Sequence, residues 1–163
     1  MSVPFGLAAF ALLIAAQVAA IVMSAPDAAM GHTQKIMYVH VPTAWTAFLS
    51  FFLVFVFSAR YLWSRSPRSD QLALGAAEVG TALTALTLAQ GSIWGKPTWG
   101  VWWTWDPRLT TTAIMLLIYV GYLALRAFTD DPDRAARWAA AVGVLGFINV
   151  PIVYMSVRWW RTI

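Results

Sequence analysis

The sequence predicts an all-α fold, a polytopic membrane helix bundle with five transmembrane helices. Three observations lead there. Of 163 residues, 60% are hydrophobic and only 11% charged, a balance that leaves too little polar side chain to cover a water-soluble domain. The apolar residues gather in five runs near the roughly 20 residues that a helix needs to cross hydrocarbon. The charged residues fall mainly in short segments between those runs. There is no cysteine, which excludes a disulfide framework, a thiolate metal site and thiol chemistry. A net charge of +4 would suit nucleic acid in a soluble protein, but basic residues in short loops between spans set topology instead.

Residues 5–24 form the first span. The run exceeds the apolar core of a signal peptide and no Lys or Arg precedes it, so it is read as a retained helix. Pro26 and Asp27 end it. Residues 25–42 are an expected loop carrying Lys35 and both histidines, His32 and His40. Pro42 suits the first turn of a helix, where a missing N–H costs nothing, so span two covers 43–63. His40 then stands at the mouth of the membrane beside Tyr38, Val39 and Val41. Such a histidine presents a ring nitrogen to a metal, or bonds to backbone.

Arg60, Arg65 and Arg68 precede span three, 72–93. Glu78 within it is costly in a bilayer and reads as a helix-packing or partner contact. Gly75, Gly80, Ala82, Ala85 and Ala89 allow close helix approach. Residues 94–108 are an expected loop, part of the stretch WGKPTWGVWWTWDPRLT, with five of the ten tryptophans. Trp joins a flat apolar face to one N–H donor, which suits either an interfacial belt or stacking on a flat ligand. Gly95 and Gly100 permit tight turning and close approach, which a belt does not require. Asp106-Pro107 is a helix-start signal, Asp as N-cap and Pro at the first position, opening span four at 109–125. Arg108 opposes the helix dipole there, and an anionic partner or lipid phosphate would account for it. After a loop with Asp130, Asp131, Asp133 and Arg134, span five covers 138–155. Asn149 and Pro151 imply a kink in it, with Asn149 bonded to another helix. Residues 156–163, SVRWWRTI, are a third loop on the Trp side. The whole, 1–163, is expected to be one transmembrane domain.

With five spans, the histidine loop, the Trp loop and the terminal segment share one side. Arg60, Arg65, Arg68, Arg126, Arg134 and Arg137 fall on the other, a small positive-inside bias that puts the aromatic and histidine segments outside. A flat aromatic shelf, a ring nitrogen and basic groups at a membrane surface together suit haem, whose macrocycle is planar, whose iron takes an imidazole and whose propionates pair with cations. In this reading His40 ligates iron, Trp99, Trp102, Trp103 and Trp105 line the macrocycle, and Lys96 and Arg108 meet the propionates. No Ser-His-Asp set, paired outer carboxylates or phosphate-binding Gly loop competes, so no catalytic constellation is expected.

Trp99, Gly100, Trp102, Trp103, Trp105, Asp106, Arg108, Leu109 and Thr110 resemble the WWD signature of haem-handling membrane proteins in cytochrome c biogenesis. With MYVHVPTAW, GSIWGKP, NVPI and SVRWW, the whole chain resembles the CcmC family. That resemblance implies an inner-membrane protein that binds haem b at the periplasmic face and delivers it to the haem chaperone CcmE, working with CcmD and the ABC transporter subunits CcmA and CcmB. It also implies two outward histidines, the first matching His40. In the family the second histidine and a sixth span follow a segment like SVRWWRTI, so the sequence ending at Ile163 reads as truncated before them. His32 does not correspond to that second histidine, and Met155 is a poor substitute. Three alternatives accompany this reading: a cytochrome c haem lyase subunit, a docking subunit of the ABC complex that binds no haem, and a channel, for which the spans carry few polar residues.

Overall fold

The computed structural model describes residues 2–160, and among these the regular structure is helical. Helix α1 is Ser2–Met23, α2 Met37–Ser64, α3 Pro67–Trp99, α4 Pro107–Phe128, α5 Pro132–Gly146 and α6 Asn149–Trp159, with a 3-10 turn at His32–Ile36 before α2. Five stretches are long and apolar enough to cross a membrane, the fifth being Pro132–Trp159 across α5 and α6. Three helices start on proline, at Pro67, Pro107 and Pro132, behind Ser66, Asp106 and Asp131. Proline is preorganised there and has no N–H to leave unpaired.

Several boundaries differ from the sequence reading, most of them outward. The helices continue past the hydrocarbon into segments read as loops. Helix α2 starts at Met37, so His40 lies in its first turn and Pro42 lies inside the helix. The 3-10 turn runs directly into α2, Ile36 already being in the right-handed helical region, so the helix does not wait for proline. Helix α3 runs through Trp94 to Trp99 and ends on Gly100, whose φ of 79° provides the left-handed cap. Its 33 residues rise about 50 Å against a hydrocarbon core of about 30 Å. Helix α6 likewise extends to Trp159, and the remainder of the terminal segment, 161–163, lies outside the described residues.

The fifth span is interrupted at Phe147-Ile148, a turn between α5 and α6. Pro151 cannot donate to the carbonyl of Phe147 four residues back, and that carbonyl accepts from the N–H of Val150 instead, at 3.0 Å. The side chain of Asn149 donates to the carbonyl of Thr111 on α4 at 2.9 Å, tying the interruption to the neighbouring helix, as expected of Asn149.

Helix α2 packs along α3 and α5, while α4 touches α3, α5 and α6. The core between them holds Phe51, Val54, Ala77, Met115, Tyr119 and Tyr122, with Phe51 stacked on Tyr119 at 3.7 Å between centroids. Helix α5 contributes a face of small residues, Ala135, Ala136, Ala139, Ala140, Gly143 and Gly146, all buried. Small side chains let helix backbones approach where lipid supplies no hydrophobic drive. At the end opposite the Trp segment, Arg126 of α4 makes a bidentate pair with Asp70 of α3, Nη2 to Oδ2 at 2.8 Å. Glu78 is exposed on α3, turned away from the bundle, so it is not a packing residue among these helices. Among residues 3–23, helix α1 buries none; Lys35 fastens its last turn by donating to the carbonyl of Ile21 at 2.8 Å.

Candidate functional site

A cavity of about 330 Å³ opens at the Trp-rich end of the bundle, walled by α2, α3, α4 and α6. Each wall follows from helical period. On α2, His40, Ala44, Ala47 and Phe48 fall on one face; on α3, Thr84, Thr87, Leu88, Gly91 and Trp94 do so; on α4, Arg108, Leu109, Thr112 and Met115. Spacings of three and four residues put such side chains in line. The threonines are already satisfied by carbonyls of their own helices, Thr84 by Gly80 at 2.7 Å and Thr112 by Arg108 at 2.7 Å. They therefore line the cavity without requiring a polar ligand.

Two wall groups are not satisfied. His40 Nδ1 and Trp94 Nε1 are both buried without a hydrogen-bond partner, and an orphaned buried polar atom in a cavity wall is the usual sign of a missing ligand or water. The ring of His40 lies against Gly91, where an added Cβ would stand 3.4 Å from its Cε1. Glycine there leaves the imidazole room beside the α3 backbone. Trp94 and Trp99 meet edge to face, with centroids 5.0 Å apart.

Of the residues singled out in sequence, the cavity brings together His40, Trp99, Asp106 and Arg108. Asp106 fulfils its expected capping role, its Oδ1 accepting from the N–H of Arg108 at 2.8 Å and of Leu109 at 3.2 Å. Its Oδ2 accepts from the hydroxyl of Thr104 at 2.9 Å, which fixes the end of the Trp segment to α4. Gly100, Trp102, Trp103 and Trp105 do not line this cavity; they occupy the segment between α3 and α4, with Trp102 58% and Trp105 78% exposed. Trp103 is packed edge to face on Trp105 at 5.4 Å. Lys96 is turned to the helix end, donating to the carbonyl of Gly100 at 2.8 Å. His32 lines a different cavity, so the two histidines do not converge.

Trp45, Trp94, Gly91, Met115 and Tyr154 also line the site and were not picked out from sequence as site residues. The signal was present: extending the stripe through Thr84, Thr87 and Gly91 by one turn reaches Trp94. Among the described residues no three His, Asp or Glu side chains gather as a metal cluster, so a bare ion has no chelating set here.

The chain matches the family described as Heme exporter protein C over residues 1–163. It is 42% identical over 160 residues to a Heme exporter protein C of Bradyrhizobium diazoefficiens, covering 98% of this chain and 61% of that one. It is 37% identical over 139 residues to the Heme exporter protein C of Escherichia coli, covering 84% and 56%. A putative cytochrome c biosynthesis ccmC-like mitochondrial protein of Marchantia polymorpha is 37% identical over 137 residues, 84% and 58% of the two chains. The chain thus spans a little over half the length of these relatives.

Proposed function

Because the chain belongs to the Heme exporter protein C family, we propose that its Trp-rich end binds haem as cargo and releases it for the assembly of c-type cytochromes. The observation that carries this is the buried, unpartnered Nδ1 of a half-buried His40 in an otherwise largely apolar and aromatic cavity with Arg108 in its wall. A single imidazole without further ligands suits a metal that arrives already chelated, as iron does in a porphyrin. A volume of about 330 Å³ lies at the small end of ligand pockets. A bound macrocycle would therefore extend past it, towards the exposed Trp102 and Trp105.

In this reading His40 holds the iron, Trp94 and Trp99 face the macrocycle, and Arg108 meets a propionate. Asp106 acts through α4, fixing the helix start that carries Arg108. Lys96 and the Trp102–Trp105 segment border the exposed part of the ligand. The bound cargo supplies its own redox chemistry, and these residues bind, orient and release it without a catalytic step. The receiver is the haem chaperone CcmE, at the periplasmic face of the inner membrane, with CcmD and the transporter subunits CcmA and CcmB as companions. What supports these partners is membership of the Heme exporter protein C family together with the resemblance carried by the Trp segment.

The test is the absorption spectrum of the detergent-purified protein beside His40→Ala and Trp99→Ala. A Soret band that weakens or shifts in His40→Ala, and that weakens in Trp99→Ala, is the expected result. Equal haem content and an identical spectrum in all three would place the cargo elsewhere. A wild-type protein that takes up no added haem would instead favour a docking subunit.

A further inference from the structure

The geometry points to a second binding site, one for the headgroup of an anionic phospholipid, where the end of α1 meets the 3-10 turn, α2 and α3. A groove of about 300 Å³ lies there and shares no lining residue with the cavity of His40. Its polar lining is His32, Lys35 and Gln90, and its apolar lining is Ile21, Ile36, Val39 and Ile93. No acidic residue lines it, so the Lys35 ammonium has no counter-charge in the groove.

Lys35 spends one donor on the carbonyl of Ile21, in the last turn of α1 where carbonyls lack helical partners. An ammonium has three N–H donors, so two are left for an incoming anion. Gln90 Oε1 is buried with no partner, an arrangement that costs free energy until something donates to it. A phosphoryl oxygen accepts from Lys35 and from the Gln90 amide N–H, and a headgroup hydroxyl donates to Gln90 Oε1. Phosphatidylglycerol has both groups.

The apolar half of the groove distinguishes a lipid from soluble phosphate. Ile21 and Ile93 are 40% and 53% exposed, and they continue into the exposed faces of α1 and α3, through Val18 on one and Leu86 on the other. An acyl chain descending from the groove has apolar surface on both sides. It also gives α1 what the bundle withholds. Over residues 3–23 that helix buries none of its residues, and its described polar tie to the rest of the chain is Lys35 to Ile21. A lipid seated in the groove packs α1 against α3.

The experiment uses the intact chain, delipidated in neutral detergent and titrated with phosphatidylglycerol or phosphatidylcholine of the same acyl chains, with bound lipid counted by native mass spectrometry. One phosphatidylglycerol per chain, held in preference to phosphatidylcholine, is expected. Lys35→Gln and Gln90→Leu should each weaken it about tenfold, the loss of one good hydrogen bond. Lys35→Gln also releases the end of α1, so Gln90→Leu, which leaves that tie in place, decides the matter. Equal binding of the two lipids, or wild-type retention by Gln90→Leu, overturns the site. Displacement by inorganic phosphate or glycerophosphoglycerol at the lipid's own concentration also overturns it, since the groove would then hold a soluble anion.

Discussion

Helices α2 and α3 are held together over a glycine with no room for a methyl group. A Cβ built on Gly80 would stand 2.6 Å from Cε1 of Phe51, 2.9 Å from Cδ1 and 3.1 Å from Cζ. Ordinary carbon contacts begin at about 3.5 Å, so Gly80→Ala requires a relative shift of about 1 Å. Phe51 cannot supply it by turning, because it is fully buried and stacked on Tyr119 at 3.7 Å with planes 11° apart. Tyr119 is itself fully buried. The helices must separate, and overpacking of this kind costs about 1–3 kcal/mol. An overlap of about 1 Å against a ring that cannot turn belongs to the upper part of that range, about 2–3 kcal/mol, and replacing glycine by alanine within a helix returns about 1 kcal/mol, so the expected net loss is about 1–2 kcal/mol.

Reversible unfolding in mixed micelles measures this directly, with Gly80→Ala shifted to lower denaturant. The double variant with Phe51→Leu identifies the cause. Phe51→Leu alone removes stacking and opens space, so adding Gly80→Ala to it should cost much less than adding it to wild type. A Gly80→Ala protein as stable as wild type, or two losses that simply add, would refute the contact as the reason for glycine at this position.

Three further outcomes follow from other contacts. At Gly91, a Cβ would only touch His40, so Gly91→Ala should leave haem uptake nearly unchanged while the branched Gly91→Val displaces the imidazole and lowers it several-fold; equal uptake would detach His40 from the cargo site. The Asp70–Arg126 pair is 17% exposed on each side, so Asp70→Ala, which strands the guanidinium, should cost about 2–3 kcal/mol, reduced for that exposure from the fully buried case, and Asp70→Leu with Arg126→Met should recover most of it. Asp131 accepts from the N–H groups of Asp133 and Arg134 at the start of α5, and those bonds hold its carboxyl below its ordinary value of 3.8. Its capping contribution is present above that value and is lost as pH falls through the depressed one, so amide protection factors at 133–136, corrected for intrinsic exchange, should fall as pH drops below 3.8 and should fall less in Asp131→Asn, which keeps an acceptor at every pH.

The fold class and the Asp106 cap were legible because each rests on local chemistry. Apolar runs of bilayer length have few alternatives, and Asp-Pro before an apolar run is a helix start almost wherever it occurs. The inward extent of the Trp segment was not legible. Gly95 and Pro97 look like breakers, but Gly95 is buried under Trp99, where a Cβ would lie 3.2 Å from Cε3, and Pro97 falls in the last turn, where it removes one bond and cannot interrupt much helix. Counting residues against hydrocarbon thickness has the same weakness, since a helix supported by neighbours has no reason to stop where lipid tails do. For that reason the sequence alone places His40 in a loop and not in α2, although its chemistry is legible there.

That displacement into α2 bears on how a transfer site can work. His40 and Arg108 sit on helices that are packed along their length, and Arg108 follows a cap that bonds two N–H groups and a threonine hydroxyl. Such groups keep their geometry whether or not a ligand is present. Trp102 and Trp105 occupy a short connection and face outward, where a receiving protein can reach them. On the proposed reading, fixed residues grip one part of the haem and exposed ones cover the other. A closed pocket would bind more tightly, but it would have to open before another histidine could approach the iron. On the same reading, a cavity too small to enclose haem would leave that approach free, at some cost in affinity.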